Sequence, residues 1–321
     1  VYMGFVRNWV MLGVGFLSLR MLGQGSLSLV SRYAINQWWV RRRGSVMGVA
    51  GVATALLGSG GFPVLIHWLI PQFGWRLSYG LLGLGVIGLM APLGYLFVRN
   101  RPEEYGLLPD GARGQYDPAH PTHSGEIHWT LAEATRTPTF WLVCAALASM
   151  SMLGTGLTFH IFSIFQDSGL SASLAAAVFV PTAATAAVMQ LVGGFLIDRA
   201  PVRLLLAAAL FLQALALVMA PFLISTEMAY GYGVVMGALN GLQMIVGSVV
   251  WAKYYGRQHL GSITGVVSTI LVASSALGPM PFGIARDLMG SYTTILTAFA
   301  ALPFLLGLAN LFYGKPPVKN G

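Results

Sequence analysis

Charge is scarce in this sequence. Lys, Arg, Asp and Glu supply 9% of its 321 residues, against roughly 25% in soluble domains. Acidic residues are scarcer still: there are ten, and all of them, Asp167, Asp198, Glu227 and Asp287 included, fall in predicted loops or at helix ends. There is one cysteine, Cys144, inside a predicted helix, so no intramolecular disulfide can form. A charged start, short apolar core and cleavage site are all missing, so no signal peptide is expected among these residues, and the strict alternation of a membrane β-barrel is missing too. Neither HExxH nor GxSxG occurs, and no paired carboxylates or metal cluster lie near an apolar segment, so nothing points to an enzyme or to a cofactor.

What is present is apolar. Hydrophobic residues make up 56% and the mean hydropathy is +0.71, which implies an all-α polytopic membrane protein. A helix needs about 20 apolar residues to cross a bilayer. Nine stretches qualify, near 9–38, 44–70, 77–98, 138–165, 172–197, 202–224, 228–253, 261–286 and 292–313. Counting Lys and Arg in alternate connections places thirteen on one side and only Arg7, Arg76 and Arg286 on the other, while Arg20 and Arg32 fall within the first stretch. The thirteen face the cytoplasm by the positive-inside rule, and so does the end of the chain. The net charge of +8 is then a matter of topology and lipid head groups, not of nucleic acid.

One long polar stretch, residues 99–136, divides the chain into a front part, 1–98, with three spans and a rear part, 137–321, with six. The two parts repeat. WWVRRRGSVMGVAG leads to FPVLIHWLIPQFGWRLSY in front, and WAKYYGRQHLGSITGVV leads to LGPMPFGIARDLMGSY behind. Gly44, Gly48, Gly51, Ala55 and Gly58 correspond to Gly261, Gly265, Ser268, Val272 and Ser275 at a constant offset of about 217 residues, which implies a parallel repeat. Small residues every three or four positions let helices approach closely. With that offset, three helices are expected upstream of Val1, giving six plus six, the visible front part being the second half of its bundle.

This architecture, with its long central cytoplasmic loop, resembles the major facilitator superfamily over the whole chain, as helices four to twelve of twelve. The motif that carries the resemblance is GGFLIDRAPVR: Gly194, Leu196, Asp198, Arg199 and Arg203 match the superfamily's cytoplasmic motif of Gly, any residue, Leu, any residue, Asp-Arg and a later Arg. FGWR, VRNRPEEYGLLPDG, FHIFSIFQDSGLS and YYGRQHLGSITG are similar to the bacterial monocarboxylate-porter and oxalate:formate-antiporter branch. The resemblance implies a secondary transporter in the inner membrane, a symporter or antiporter working as a monomer by alternating access. Gly194, Asp198, Arg199 and Arg203 would form a cytoplasmic latch, Asp198 meeting a positive group or a helix N-terminus. The alternative for these residues is simple topological charge. Cations that the oxalate exchangers carry on the eighth and eleventh helices are missing here, as are the Asp and Arg of animal monocarboxylate porters on the eighth, so neither substrate assignment transfers.

Five residues are candidates for substrate contact. Arg20 lies roughly 16 Å into its helix at 1.5 Å per residue, near the midplane. A lone cation there costs at least about 2.5–3.5 kcal/mol, so it should face a wet cavity or a partner. Gln24, Ser28 and Ser31 follow it on one helical stripe. Arg20 is either a structural arginine bonded to a neighbouring helix or, since no visible carboxylate neutralises it, the site of a small organic anion such as a monocarboxylate. His160 is either a proton relay or an interfacial histidine bonded to a neighbour. Asn240 and Gln243 are substrate contacts or interhelical hydrogen bonds. Proton coupling is open. Another substrate class, a drug or a sugar phosphate, or a non-transporting sensor of the same fold, remains the alternative.

Overall fold

Apolar segments bounded by capping residues should close all of their backbone hydrogen bonds internally, and in the computed structural model they do so as helices. The structure describes residues 2–19, 28–54, 57, 62–111 and 128–319, and every regular element among these is helical. In chain order they are α1 (Trp9–Leu19), α2 (Ser28–Trp38), α3 (Arg43–Thr54), α4 (Phe62–Gly85), α5 (Ala91–Phe97), α6 (Leu131–Ala134), α7 (Pro138–Asp167), α8 (Ala172–Ala177), α9 (Phe179–Arg199), α10 (Val202–Met219), α11 (Thr226–Tyr255), α12 (Leu260–Leu277), α13 (Pro279–Met289) and α14 (Thr293–Tyr313). Seven stretches among the described residues are long and apolar enough to cross a membrane. Six of them, Pro138–Asp167, Ala172–Arg199, Val202–Phe222, Thr226–Tyr255, Leu260–Met289 and Thr293–Tyr313, fall where the six rear spans are expected.

The front differs in detail. The expected span 9–38 is seen as α1 and α2, and 44–70 as α3 and the start of α4, each pair separated by residues outside the described set. The seventh stretch, Leu65–Phe97, crosses the expected boundary between two spans. Its helix is broken at Gly74, whose φ of 69° and ψ of 162° are not helical. Glycine reaches positive φ without a Cβ penalty, and Gly74 lies in the FGWR turn expected between the two spans.

The chain divides into two compact units. Unit 1 comprises Val1–Arg41 and Val52–Ser124, and unit 2 comprises Arg42–Gly51 and Gly125–Gly321. In unit 1 the side chains of α4 and α5 stand mostly exposed, among them Trp68, Leu84, Tyr95, Leu96 and Phe97. Helices that turn apolar side chains outward suit a lipid solvent. Residues 99–111 pack back on the α2–α3 turn: the Asp110 carboxylate accepts from the N–H groups of Val40 (3.1 Å) and Arg41 (2.9 Å), and the Trp38 indole donates to Arg99 O (2.8 Å).

Unit 2 has the larger core, built from Phe140, Leu147, Met150 and Leu157 of α7, Leu206, Leu210 and Leu217 of α10, Val246, Val249 and Val250 of α11, and Leu296 of α14. Its helices start at side-chain caps. Thr137 accepts from Phe140 N ahead of Pro138, Ser171 accepts from Leu174 N, and Ser225 accepts from Met228 N. Helix backbones approach closely where glycine permits. A Cβ on Gly233 would lie 2.9 Å from Val178 O, and one on Gly241 would lie 2.6 Å from Met189 Cβ, so this stripe of α11 seats the α8–α9 region. Cβ atoms on Gly156 or Gly278 would overlap the Phe282 ring or Met152 O, which brings α7 against the α12–α13 break.

Candidate gate and substrate-site residues

The first turn of a helix leaves N–H groups without intrahelical partners. In α3 the residue preceding the helix is Arg42, a cation, which cannot accept their hydrogen bonds. Asp198, the next-to-last residue of α9, does so from a distance of 154 positions along the chain. Its carboxylate accepts from Gly44 N (2.8 Å), Ser45 N (2.8 Å) and Ser45 Oγ (2.6 Å). A negative charge at a helix N-terminus is also favoured by the helix dipole. Residues Arg42–Gly51 belong to unit 2, so this docking is internal to that unit.

Glycines make the contact possible. A Cβ on Gly44 would overlap the Ile197 side chain and Gly194 O and come within 2.9 Å of Asp198 Oδ1. One on Gly48 would sit 2.6 Å from Gln190 O, and one on Gly194 would overlap Gly44 O. The surfaces of α3 and α9 therefore meet backbone to backbone, and the carboxylate reaches its donors without bending either helix. Around it stand two cations. Lys253, near the end of α11, donates from Nζ to Ile197 O, the residue before Asp198, and both Asp198 and Arg43 lie within electrostatic reach of that ammonium. Arg43 is buried, at 2% exposure.

Of the four expected latch residues, the structure brings Gly194 and Asp198 to this contact. It does not bring the two arginines. Arg199 is exposed, and Arg203 donates from Nη1 to Leu311 O (3.3 Å), which fastens α10 to the end of α14. Sequence reasoning missed Ser45, Arg43 and Lys253 as members of the group. The signal that could have found them is the run RRRGSVMGVAG, in which a basic turn precedes an uncapped helix start and a small-residue stripe.

His160 sits on α7 where that helix meets the α12–α13 break. Its Nε2 lies 3.1 Å from Pro279 O and its Nδ1 lies 3.0 Å from Tyr292 Oη. A carbonyl only accepts, so Nε2 carries a proton and donates it to Pro279 O, while Nδ1 shares its hydrogen bond with the Tyr292 hydroxyl. The ring also stacks on Phe282, with centroids 6.0 Å apart. Nearby, Arg286 pairs with Asp167 (2.8 Å), donates to Gly290 O, and lies over the Tyr292 ring at 5.7 Å. Deeper along the same seam, Ser151 Oγ donates to Leu271 O (3.0 Å) and Thr155 Oγ1 meets Ser275 Oγ (2.9 Å). These are interhelical fastenings between α7 and α12–α13.

Asn240 is exposed and Gln243 half-buried on α11, and among the described residues neither has a hydrogen-bond partner. On α9 the Gln190 side chain is 9% exposed, and its Oε1, directed at Gly51, is likewise without a donor. A Cβ on Gly241 would lie 3.2 Å from Gln190 N, so the three carboxamides occur at one level of the α9–α11 pair. Arg20 and Gln24 lie outside the described residues.

Comparison with known proteins agrees with this architecture. No curated protein matches the chain. The sequence model of the Major Facilitator Superfamily does, over residues 1–279 and, in a second alignment, over residues 149–320. Residues 149–279 fall in both alignments. With most of the chain matched, an all-helical build and seven stretches long and apolar enough to cross a membrane among the described residues, the protein is a multi-pass membrane protein that belongs to the major facilitator superfamily of transporters.

Proposed function

We propose that this transporter carries a small organic anion of the monocarboxylate class across the cytoplasmic membrane by alternating access, its visible helices being the fourth to twelfth of a twelve-helix frame. The constant offset of the glycine stripes supports that frame. An anionic substrate is favoured by Arg20, a permanent cation in an otherwise apolar run, in a chain whose ten carboxylates all fall in loops or at helix ends. In this reading Gln24, Asn240 and Gln243 supply neutral hydrogen-bonding groups around the substrate, and the highly basic connections lie on the cytoplasmic side with the end of the chain. The working unit is a monomer.

The observation that carries the mechanism is Asp198 at the N-terminus of α3. That helix is divided between the units, its residues through Gly51 in unit 2 and Val52–Thr54 in unit 1. We assign its docking to one end state of the cycle and its release to the transition towards the other. The contact suits that task because it is assembled from few groups: one carboxylate, two backbone N–H groups, one hydroxyl and a glycine seam. His160 serves as a fastener of α7 to α12–α13 in this account, and its two occupied ring nitrogens favour that role over proton relay.

Uptake of labelled carboxylates by cells expressing the gene tests the reading. Arg20→Ala should abolish saturable uptake at unchanged expression, while Arg20→Lys retains part of it. Equal uptake by Arg20→Ala and the parent would overturn the anion site, and flux of a drug or sugar phosphate in place of carboxylates would favour those substrates.

A further inference from the structure

The segment Gly314–Lys319 follows α14 as non-helical chain with the sequence GKPPVK. Its two prolines have no N–H and fixed φ, so it cannot continue the helix. Three anchors hold it along unit 2. The Tyr254 hydroxyl, on a ring only 7% exposed at the end of α11, donates to Gly314 O at 2.7 Å. Thr139 Oγ1, in the first turn of α7, donates to Lys315 O at 3.2 Å. Lys319 Nζ then reaches His128 O (3.0 Å) and the Glu133 carboxylate (2.9 Å), and stands 5.5 Å from the centre of the Trp129 ring.

What Lys319 grips is the last part of the polar stretch between the two halves of the sequence. Trp129 is buried, its backbone N–H donates to Tyr255 O at 3.0 Å, and its ring meets the Tyr255 ring edge-on at 5.9 Å. Thr130 and Glu133 form a capping box that starts α6, and Thr137 Oγ1 lies 2.8 Å from Tyr255 Oη. Residues 128–137 thus lie between the end of α11 and the segment that trails α14.

We propose that Gly314–Lys319 is a strap that clamps residues 128–136 to unit 2, with Lys319 as its releasable bolt, so that seating or freeing Lys319 sets how much linker joins the two halves. Freeing those residues would lengthen the available tether by up to about 30 Å, at roughly 3.3–3.6 Å per extended residue. The bolt is suited to reversible use. Its ion pair is exposed on both sides, 35% and 37%, and exposed ion pairs and surface cation–π contacts each favour the bound form by only a factor of a few. Thr130's backbone N–H and then Lys319 hold the Glu133 carboxyl down to about 2. A depressed carboxyl stabilises above its ordinary range and loses that effect as pH falls towards 2, so the bolt stays charged through the physiological range. Salt is its natural lever.

Limited trypsin digestion of the purified chain reads the strap directly. Arg136 is exposed, at the end of the clamped stretch, and cleavage after it requires local opening. Lys319→Glu, which sets two carboxylates against each other, and Lys319→Gln should both speed that cut about fivefold or more at low ionic strength. Lys319→Arg should keep the parent's rate, and added salt should speed the parent's cut but not that of Lys319→Gln. A cut after Arg136 within twofold of the parent in Lys319→Gln, or a salt response equal in the two, would overturn the proposal.

Discussion

Replacing Asp198 with Asn keeps the side chain's size and removes its charge, and so separates the electrostatic part of the α3 docking from its shape. Hydrogen bonds to a charged group contribute about 1.5–3 kcal/mol. Asn can still accept from one of the two N–H groups, so Asp198→Asn should cost about 1–2 kcal/mol and Asp198→Ala the upper end of that range. Thermal unfolding in detergent, compared with Arg199→Ala as an exposed control in the same motif, checks this: the aspartate variants should melt lower and Arg199→Ala should match the parent. Gly48→Leu attacks the same contact from the other helix. Even its Cβ would lie 2.6 Å from Gln190 O, a backbone atom that cannot swing aside, so the helices must separate. The expected loss is about 1–3 kcal/mol, the range for overpacking, again read as a lower melting temperature. Among individual residues, Gly194 and Asp198 were recognisable from GGFLIDR, whereas Lys253 looked like one more cytoplasmic cation. Its task depends on Ile197 O, 56 residues away, which no local pattern announces.

At the scale of elements, the six rear spans were legible because long apolar runs and their caps are local properties. Breaks within them were less so. The expected span 261–286 is two helices, α12 and α13, parted at Gly278–Pro279, where α7 comes close through Gly156. His160 fills this break by donating from Nε2 to Pro279 O while its Nδ1 is hydrogen-bonded with the Tyr292 hydroxyl. His160→Ala leaves both partners without their bonds, at about 1–3 kcal/mol for buried groups. It should therefore lower the melting temperature, whereas a relay histidine would chiefly alter the pH profile of uptake. A pH profile shifted at unchanged stability would contradict the fastener role. The front spans were harder to read, since α4 is interrupted at Gly74 by a backbone conformation that FGWR suggests but does not impose.

For the whole molecule, the repeat was the most informative feature of the sequence, because it links segments about 217 residues apart without any structure. It identified the Gly44–Gly48–Gly51 stripe as a close-packing surface but not its partner, whereas at the matching Gly261 and Gly265 of α12 an added Cβ would meet nothing within 4 Å. The partner, Gln190–Asp198, is joined to it only in three dimensions, by glycine-to-carbonyl contacts and one carboxylate. Arg20, the leading anion candidate, rests on sequence alone, and the account stands or falls on whether a carboxylate is moved. The most direct measurement is therefore uptake of labelled small monocarboxylates by cells expressing the gene, with the parent, Arg20→Ala and Asp198→Ala at matched expression. The account predicts saturable uptake by the parent, none by Arg20→Ala, and a rate lowered about tenfold or more by Asp198→Ala, each ~1.4 kcal/mol of lost docking energy being worth a factor of ten in rate. Saturable carboxylate uptake that is equal in all three would contradict it.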